Sequence, residues 1–265
     1  MATASTLVQV MIDAAKKAGK GLKRDFGEVS ELQVSKKGPA DFVSAADHKA
    51  EQALYEALAK ARPGYGFLGE ERGLIEGTDK THTWIVDPLD GTTNFLHALP
   101  HFAVNIALER DGAVVAAVTY NPASDEVFWA EKGRGAWLGD QKRLRVSARR
   151  TLLDSILATG IPFAGRPGHT AFLKELHQIA PRVSGVRRFG SAALDMAYVA
   201  AGRFDGFWER NLQSLDVAAG SLIILEAGGV ISGAEGEPFD VREGSVCCAN
   251  PDLHPLILER LEAAA

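Results

Sequence analysis

The stretch Trp84–Phe95, WIVDPLDGTTNF, places two acidic residues directly after an apolar run. Asp87 and Asp90 are separated by a proline and a leucine, and a glycine and two threonines follow them. Two carboxylates so close together repel each other when both are ionised, unless a cation lies between them. The pattern therefore indicates a cation site at the end of a short apolar strand, which we expect over Thr83–Val86.

The overall composition is that of an ordinary globular protein. The chain has 265 residues, of which 46% are hydrophobic and 24% charged, and this predicts one or two domains with a substantial core. The net charge of −5 disfavours nucleic acid as the main partner, because phosphate contacts require a basic face. The N-terminal segment lacks the basic start and apolar core of a signal peptide. No stretch approaches the roughly 20 apolar residues that cross a bilayer, so we expect a cytoplasmic protein without membrane contact.

The only two cysteines in the sequence, Cys247 and Cys248, are adjacent. Neighbouring cysteines rarely form a disulfide of good geometry, and a metal site needs more ligands than two. We therefore expect both to fill a buried strand within SVCCAN, since free cysteine is usually a small core residue.

The first part of the chain combines helices with an antiparallel meander. Apolar residues at helical spacing predict an amphipathic helix over 6–26, and a second helix is expected over Asp47–Ala61. A short strand is expected over Gly66–Leu68, in addition to the one that precedes Asp87. The segment VNIALERDGAVVAAVTYN predicts a hairpin that turns at Asp111-Gly112, and further antiparallel strands follow it.

After about Thr151 the pattern becomes an alternation of strands and helices, as in α/β layers. Strands are expected in SILATGI and FDGFWE, and helices in GHTAFLKELHQIA, SAALDMAYVAAG and SLDVAAGSLIILEAGG, before a last strand and helix. No low-complexity linker and no internal repeat separates the two patterns. We therefore predict an α/β (α+β) protein of two tightly packed lobes, an N-terminal α+β lobe over residues 1–150 and a C-terminal α/β lobe over residues 151–265.

Acidic side chains recur where apolar strands end or helices begin, at Asp47, Glu70, Glu71, Asp87, Asp90 and Asp216. Such positions often carry functional groups, because a rigid scaffold holds the loop. A cluster of carboxylates without His or Cys suits hard cations such as Mg²⁺. Two such ions about 3.5–4 Å apart form a site for phosphoryl hydrolysis.

Each of these acidic residues also has a purely structural explanation. Asp47 and Asp216 are placed to cap helices or to complement a helix dipole. Glu71 could be a solvated neighbour of Glu70, and DPLDG suits a turn because Asp, Pro and Gly are turn formers. A turn, however, requires neither the threonine pair after it nor the Gly-Glu-Glu upstream, so the combination favours a functional site.

The residues after Asp90 suit a phosphate group. Gly91 lets the backbone approach a ligand closely, and the N–H groups of a helix or tight turn that begins here would point at an anion. Thr92 is placed to hold or orient a water molecule beside the metal ions. Metal ions, amides and threonine are thus expected to meet at one phosphate.

Three motifs, GFLGEER, WIVDPLDGTTNF and LDVAAGSLIILEAGG, occur in this order and resemble those of the inositol monophosphatase family. This is the lithium-sensitive, magnesium-dependent phosphatase superfamily that also contains fructose-1,6-bisphosphatases. The likeness extends from the KKGPADFVSAAD stretch to Gly229, and the motifs are specific in combination. The resemblance implies a layered αβαβα sandwich, a homodimer, sensitivity to lithium, and two or three Mg²⁺ ions in each active site.

The resemblance also implies roles for individual residues. The metal ligands it implies are Glu70, Asp87, the Leu89 carbonyl, Asp90 and Asp216. The catalytic residues it implies, which would polarise the attacking water, are Glu70, Thr92 and Asp47. The substrate-binding residues it implies are Asp90, Gly91, Thr92, Arg187, Gly190, Ser191, Ala192 and Glu209. Arg187 is the weakest of these, because a surface arginine beside Arg188 needs no ligand.

One position departs from the family pattern. Leu215 stands where the family usually has Trp before the last metal aspartate, a change expected to loosen the packing behind Asp216. The aspartate itself is retained, so the implied second metal site keeps its ligand.

The same motifs bear on the choice of substrate. The sequence TTNF favours the inositol monophosphatase branch, because branches acting on adenosine bisphosphate or histidinol phosphate tend to carry Lys in place of the second threonine. Glu209 matches the acid that contacts inositol hydroxyls, although it could instead end its strand as a solvated residue or pair with Arg210. We therefore expect hydrolysis of myo-inositol-1-phosphate and related polyol phosphates. A fructose-1,6-bisphosphatase or broad sugar phosphatase is the alternative, and a binding or regulatory protein with residual activity is the alternative of another class.

Overall fold

The computed structural model describes residues 4–26, 34–38 and 41–264. Its first two helices, α1 (Thr6–Phe26) and α2 (Ala45–Ala61), pack against each other and form one outer layer. Met11 and Leu22 are among the buried residues of α1, which confirms the amphipathic helix predicted over 6–26. A hairpin of β1 (Val34–Gly38) and β2 (Asp41–Ser44) precedes α2. Residues 39 and 40 of the KKGPADFVSAAD stretch lie outside the described residues.

The second layer is an eight-stranded sheet in the order β10-β9-β8-β7-β6-β5-β3-β4. Its strands are β3 (Gly66–Gly69), β4 (Gly73–Ile75), β5 (His82–Asp90), β6 (Ala103–Arg110), β7 (Ala113–Asn121), β8 (Glu126–Glu131), β9 (Gly135–Leu138) and β10 (Lys142–Arg143). Apart from the parallel pair β3–β5, all neighbours run antiparallel. The predicted hairpin is β6–β7, and its turn residues Asp111 and Gly112 have φ of 51° and 77°, as a tight hairpin turn requires.

Among the described residues, the remaining elements are a second sheet, five further α-helices and a short 3₁₀ turn over Ala180–Arg182. The helices are α3 (Thr92–Leu96), α4 (His169–Ile179), α5 (Ala192–Ala200), α6 (Ser214–Glu226) and α7 (His254–Glu262). The strands are β11 (Ile156–Thr159), β12 (Gly185–Arg187), β13 (Gly206–Glu209), β14 (Val230–Ser232) and β15 (Val246–Ala249). They pair in the order β12-β11-β13-β15-β14. Cys247 and Cys248 are buried free thiols on β15, as predicted.

Five layers result from the packing of these elements. Helices α1 and α2 cover one face of the eight-stranded sheet, while α6 and α5 pack between its other face and the five-stranded sheet. Helices α4 and α7 pack against each other on the far face of the second sheet, where Phe172 and Ile257 join one apolar cluster. The predicted layered αβαβα sandwich is therefore confirmed.

The central layer joins the two parts of the chain into one core. A single buried cluster contains Ile85 and Phe128 from the first sheet together with Met196 and Ile223 from α5 and α6. No strand of either sheet spans residue 150, yet helices from beyond it cover the first sheet. The division into lobes at 1–150 and 151–265 stays a prediction. Among the described residues, none of the helices combines the length and the apolar character needed to cross a bilayer.

Candidate active site

A bulge in β5 brings the two aspartates of DPLD to the same side of the sheet. In a regular strand, residues three apart point to opposite faces. Here Asp87 pairs with Asn105 and Asp90 pairs with Ala103, so β5 carries one residue more than β6 over this interval. An extra residue reverses the alternation beyond it, and both carboxylates then face the same way. The sequence predicted that this strand ends at Val86. It continues to Asp90, because the chain bulges at Pro88 and Leu89 and then pairs with β6 again.

The carboxylates of Asp87, Asp90 and Asp216 converge. One oxygen atom from each lies within 4.8 Å of the other two. Burial, followed by the charges of Asp90 and Asp216, raises the pKa of Asp87 well above its usual range. Burial likewise raises the pKa of Asp90 to about 6 and that of Asp216 to about 7. Burial and mutual repulsion make it costly to ionise three acids this close together, so their arrangement indicates a site that binds positive charge.

Asp90 is held in place by the start of α5. Ser191 Oγ donates a hydrogen bond of 2.5 Å to Asp90 Oδ2, and the Ala193 N–H donates one of 2.8 Å to the same oxygen. Ser191 also caps the helix by accepting from the Leu194 N–H. Burial is the largest single effect on the pKa of Asp90 and raises it, while each of these bonds lowers it. The helix terminus therefore fixes the direction of this carboxylate across a long sequence separation.

Asp216 has the structural role expected at a helix start and also belongs to the carboxylate cluster. Its Oδ2 accepts a 2.6 Å hydrogen bond from the Gln213 N–H and completes a capping box at the start of α6. The turn is also held from the first sheet, because Asn105 Nδ2 donates to the Leu215 carbonyl at 2.8 Å. Leu215 itself is buried in the central cluster, so the leucine that replaces the usual tryptophan is packed in the core.

A cavity of about 220 Å³ opens beside these carboxylates. The predicted site residues that line it are Glu70, Asp87, Leu89, Asp90, Gly91, Thr92, Gly190, Ala192, Glu209 and Asp216. Ser191 is not in the lining and acts through its bond to Asp90. Asp47 is also outside the lining; it is buried in the first turn of α2, close enough for its charge to raise the pKa of Asp87.

Arg187 does not contribute to the cavity. It is exposed on β12 and donates to the Val186 carbonyl, whereas the next residue, Arg188, lines the cavity. Arg188 also lowers the pKa of Glu209 by its charge. Of the two neighbouring arginines, Arg188 therefore lines the cavity and Arg187, the last residue of β12, does not, so the substrate contact expected at Arg187 has no geometric support.

Glu209 faces the carboxylate cluster from β13. Burial, then the charges of Asp216 and Asp90, raises its pKa to about 8. Its carboxylate lies directly over Gly160, where an added Cβ would come within 1.8 Å of Oε1. The neighbouring Arg210 is engaged elsewhere, because it pairs with Glu175 at 2.6 Å and with Glu235. Glu209 is thus held towards the cavity and does not form the surface pair considered as its alternative.

Asn105 and Asn94 are buried amides that support the site from outside the cavity, and the sequence motifs did not single them out. Asn105 receives a 2.7 Å bond from Thr119 in addition to holding the Leu215 carbonyl. Asn94 of the TTNF motif donates to the carbonyls of His101 at 2.8 Å and Phe189 at 2.7 Å, which ties α3 to the segment before Gly190. Both are buried amides in apolar surroundings, and that pattern in the sequence was the available indication.

The donor set fits a hard divalent cation. Carboxylate oxygens dominate it, the mutual repulsion of the acids raises their pKa values, and a cation between them would remove that repulsion. The Leu89 carbonyl accepts a 2.9 Å bond from Thr92 Oγ1, and a carbonyl oxygen has a second lone pair for a further partner.

An acidic cation site beside a cavity is the arrangement expected of a metal-dependent phosphate-ester hydrolase. Residues 3–265 match the model of the inositol monophosphatase family, and the chain belongs to this family of phosphatases.

Comparison with individual proteins agrees. The chain is 70% identical over 256 residues to the inositol-1-monophosphatase of Caulobacter vibrioides, and the alignment covers 96% of this chain and 100% of that protein. It is 41% identical over 255 residues to the Nus factor SuhB of Escherichia coli K12, covering 96% and 95% of the two chains. The crystal structure of the extragenic suppressor protein suhB from Bartonella henselae superposes with a TM-score of 0.95 at 54% identity, covering 97% and 99%.

Proposed function

We propose that the protein is a Mg²⁺-dependent phosphomonoesterase that hydrolyses myo-inositol-1-phosphate and related polyol phosphates to the polyol and inorganic phosphate. The observation that carries this proposal is the convergence of Asp87, Asp90 and Asp216 within 4.8 Å beside a cavity that Glu209 also lines. The name of the Caulobacter vibrioides relative, inositol-1-monophosphatase, supports the substrate class.

The proposed ligands of the first Mg²⁺ are Glu70, Asp87 and the Leu89 carbonyl, and those of the second are Asp87, Asp90 and Asp216. A third ion at saturation is part of the same proposal. When bound, magnesium supplies a Lewis acid that polarises phosphate oxygens and favours the ionised form of water. The chain would hold these oxygen ligands close together, and the convergence of Asp87, Asp90 and Asp216 supports this role.

Thr92 is proposed to orient the attacking water, together with Glu70 and with help from Asp47. Its hydroxyl proton is committed to the Leu89 carbonyl at 2.9 Å. A hydroxyl that already donates can still accept, so Thr92 would accept a hydrogen bond from the water and leave a lone pair of the water directed at phosphorus. No serine or cysteine nucleophile is assigned, and we propose direct attack by water.

The substrate is proposed to lie across the cavity. Gly91 begins α3 with a left-handed backbone, φ 89°, and supplies no side-chain cap, and the first amides of a helix have no intrahelical acceptor. The amides of Gly91 and Thr92 would therefore receive the phosphate. Glu209 would accept hydrogen bonds from polyol hydroxyls, with the backbone at Gly190 and Ala192 beside it.

Lithium sensitivity and a homodimer complete the proposal. Li⁺ would occupy the second cation position, at Asp90 and Asp216, and delay release of phosphate. The dimer would be tested by light scattering of the purified protein. The cytoplasmic location expected from the sequence stays a prediction.

A turnover assay on a panel of phosphate esters tests the proposed function. At saturating Mg²⁺, we expect the highest kcat/KM for myo-inositol-1-phosphate, lower values for fructose-1,6-bisphosphate and other sugar phosphates, and loss of most turnover in Asp90→Asn, which removes a charged oxygen ligand. A higher kcat/KM for fructose-1,6-bisphosphate would contradict the proposed substrate and support the alternative, a fructose-1,6-bisphosphatase. Near-normal kcat in Asp90→Asn would reject the metal site.

A further inference from the structure

Helix α2 carries a second buried acid besides Asp47. Glu51 lies four residues later, on the same face of the helix, and each of the two is only 1% exposed. A buried carboxylate is costly unless it is ion-paired or hydrogen-bonded, so the partners of Glu51 indicate what it does.

Both oxygens of the Glu51 carboxylate grip the backbone directly after Glu70. Oε2 accepts a 2.8 Å hydrogen bond from the Glu71 N–H, and Oε1 accepts one of 3.1 Å from the Arg72 N–H. Two consecutive amides bound to a single carboxylate fix the chain at this point in both position and direction.

The residue before Glu70 is shaped for the same contact. A Cβ at Gly69 would lie 2.6 Å from Glu51 Oε2, 2.7 Å from Phe67 Cε1 and 2.9 Å from the Glu51 carboxyl carbon. Glycine at this position, with a backbone that any residue could adopt, therefore leaves room for the carboxylate and for the Phe67 ring. Glu70 is thus flanked on one side by a glycine that admits Glu51 and on the other by an amide bound to it.

Helix α2 holds the loop through side chains as well. The Arg72 guanidinium lies 4.6 Å from the centre of the Tyr55 ring, hydrogen-bonds Gln52, and has its Nε 3.5 Å from Glu51 Oε1. These contacts use the Arg72 side chain, whereas the hydrogen bonds to the Glu51 carboxylate come from the backbone amides of residues 71 and 72. The two kinds of contact can be separated by mutation.

We infer that Glu51 is a positioning residue for the metal ligand Glu70: by binding the amides of residues 71 and 72 it holds the Glu70 carboxylate at the cation site in the metal-free protein. The inference rests on the proposed Mg²⁺ site and deepens it. It assigns to α2 a second task beyond carrying Asp47. Without the hydrogen bonds from Glu51, the segment that carries Glu70 could rotate. Binding of Mg²⁺ would then have to order the Glu70 carboxylate, which costs free energy.

Calorimetric titration of MgCl₂ into the substrate-free protein tests the inference. Glu51→Gln keeps the size of the side chain but turns an NH₂ group towards one of the two amides, and Gly69→Ala pushes against the carboxylate from the other side. We expect each to weaken Mg²⁺ binding about ten- to a hundredfold, as is typical when a partner behind a metal ligand is lost. In turnover assays, the Mg²⁺ concentration for half activity should rise in parallel, while kcat at saturating Mg²⁺ changes little.

Two control variants keep the outcome unambiguous. Glu56→Gln changes an exposed acid on the same helix, and Arg72→Ala removes the guanidinium contacts but retains the backbone amides; both should bind Mg²⁺ as the wild type does. Equal loss in Arg72→Ala would mean that the ion pair, not the backbone grip, orders Glu70. Wild-type affinity in Glu51→Gln and Gly69→Ala, even with lowered melting temperatures, would reduce Glu51 to a structural role. Failure of the wild type to bind Mg²⁺ would instead reject the proposed function.

Discussion

At the scale of the residue, a side chain of the candidate site can have a structural role and also lie where a chemical role is proposed. Asp216 caps α6 with one oxygen, and its carboxylate lies within 4.8 Å of those of Asp87 and Asp90. The proximity of Asp87 and Asp90 was predictable, because both lie in one short motif. The sequence marked Asp216 as an acid at a helix start, but its convergence with Asp87 and Asp90 was not predictable from spacing, because it depends on packing between distant elements; the family resemblance supplied the grouping. That Arg188 and not Arg187 lines the cavity has the same origin, since the point where a short strand ends is set by its neighbours.

Glu209→Ala should separate polyol recognition from phosphate chemistry. A hydroxyl-to-carboxylate hydrogen bond contributes about 1.5–3 kcal/mol, so kcat/KM for myo-inositol-1-phosphate should fall roughly ten- to a hundredfold. Turnover of an aryl phosphate, which has no hydroxyls to bind, should barely change. Parallel kinetics on the two substrates make the comparison, and equal effects on both would remove Glu209 from the substrate site.

The metal-free protein should lose stability as the pH rises. Because folding raises the pKa of Asp216 to about 7, the folded state holds this proton more tightly than the unfolded state, whose pKa is near 3.8. The contribution of this proton to the free energy of unfolding is therefore complete below about pH 4, decreases as the pH rises towards the folded pKa of about 7, and stays constant above it. Relative to the wild type in EDTA, Asp216→Asn should gain unfolding free energy over this window.

Chemical denaturation at pH 5 and pH 8 measures this difference. Adding Mg²⁺ should reverse the trend in the wild type, with greater stabilisation at pH 8, and should do so less in Asp216→Asn. A wild-type-to-variant difference that is the same at both pH values would contradict the electrostatic origin of the cluster.

At the scale of the element, the sequence predicted those segments that carry a strong local pattern. Helix α1 was predicted from its clear apolar periodicity, and the β6–β7 hairpin from the Asp111-Gly112 turn between two apolar runs. Strands β12 and β14 have three residues each, too few for an alternation to show, and they form because neighbouring strands offer them partners. The end of β5 was predicted too early, since a proline between two aspartates is also typical of a turn.

Asn105 couples the two elements that supply the aspartates. It pairs with Asp87 in the ladder and binds the Leu215 carbonyl at the start of α6. Asn105→Ala should cost about 1–3 kcal/mol of unfolding free energy, because it leaves a carbonyl near the site without its buried donor. It should also weaken Mg²⁺ binding by letting Asp216 shift. Calorimetry and denaturation of the same preparation check both effects.

Thr119→Val is the matched control for this element. It removes the 2.7 Å bond to Asn105 Oδ1 but leaves the donor to Leu215 intact. We expect a loss of stability with nearly unchanged Mg²⁺ affinity. If both variants lose affinity alike, Asn105 acts on the core in general and not on the turn before α6.

At the scale of the whole molecule, the cation site depends on the central layer. Helix α6 brings Asp216, and the start of α5 holds Asp90, while the first sheet supplies Asp87. The cluster therefore forms only when α5 and α6 are packed against the first sheet. We expect unfolding of the metal-bound protein to be more cooperative than that of the metal-free protein, because the ions join the layers.

The adjacent cysteines of β15 point to opposite sides of the second sheet. Cys247 belongs to the apolar cluster shared with α4 and α7, whereas Cys248 belongs to the one shared with α5 and α6. Burial raises the pKa of both thiols, so reagents reach them only when their own interface opens. The labelling rate of each thiol therefore reports how often one face of β15 becomes exposed.

In variants with a single cysteine, the rate of thiol labelling would measure the opening of each face of β15 separately. With Cys247→Ala, the remaining Cys248 should react more slowly once Mg²⁺ is added, because the ions anchor α6. With Cys248→Ala, the labelling rate of Cys247 should respond much less. If Mg²⁺ slows labelling equally at both positions, the two faces of the second sheet open in a single cooperative step.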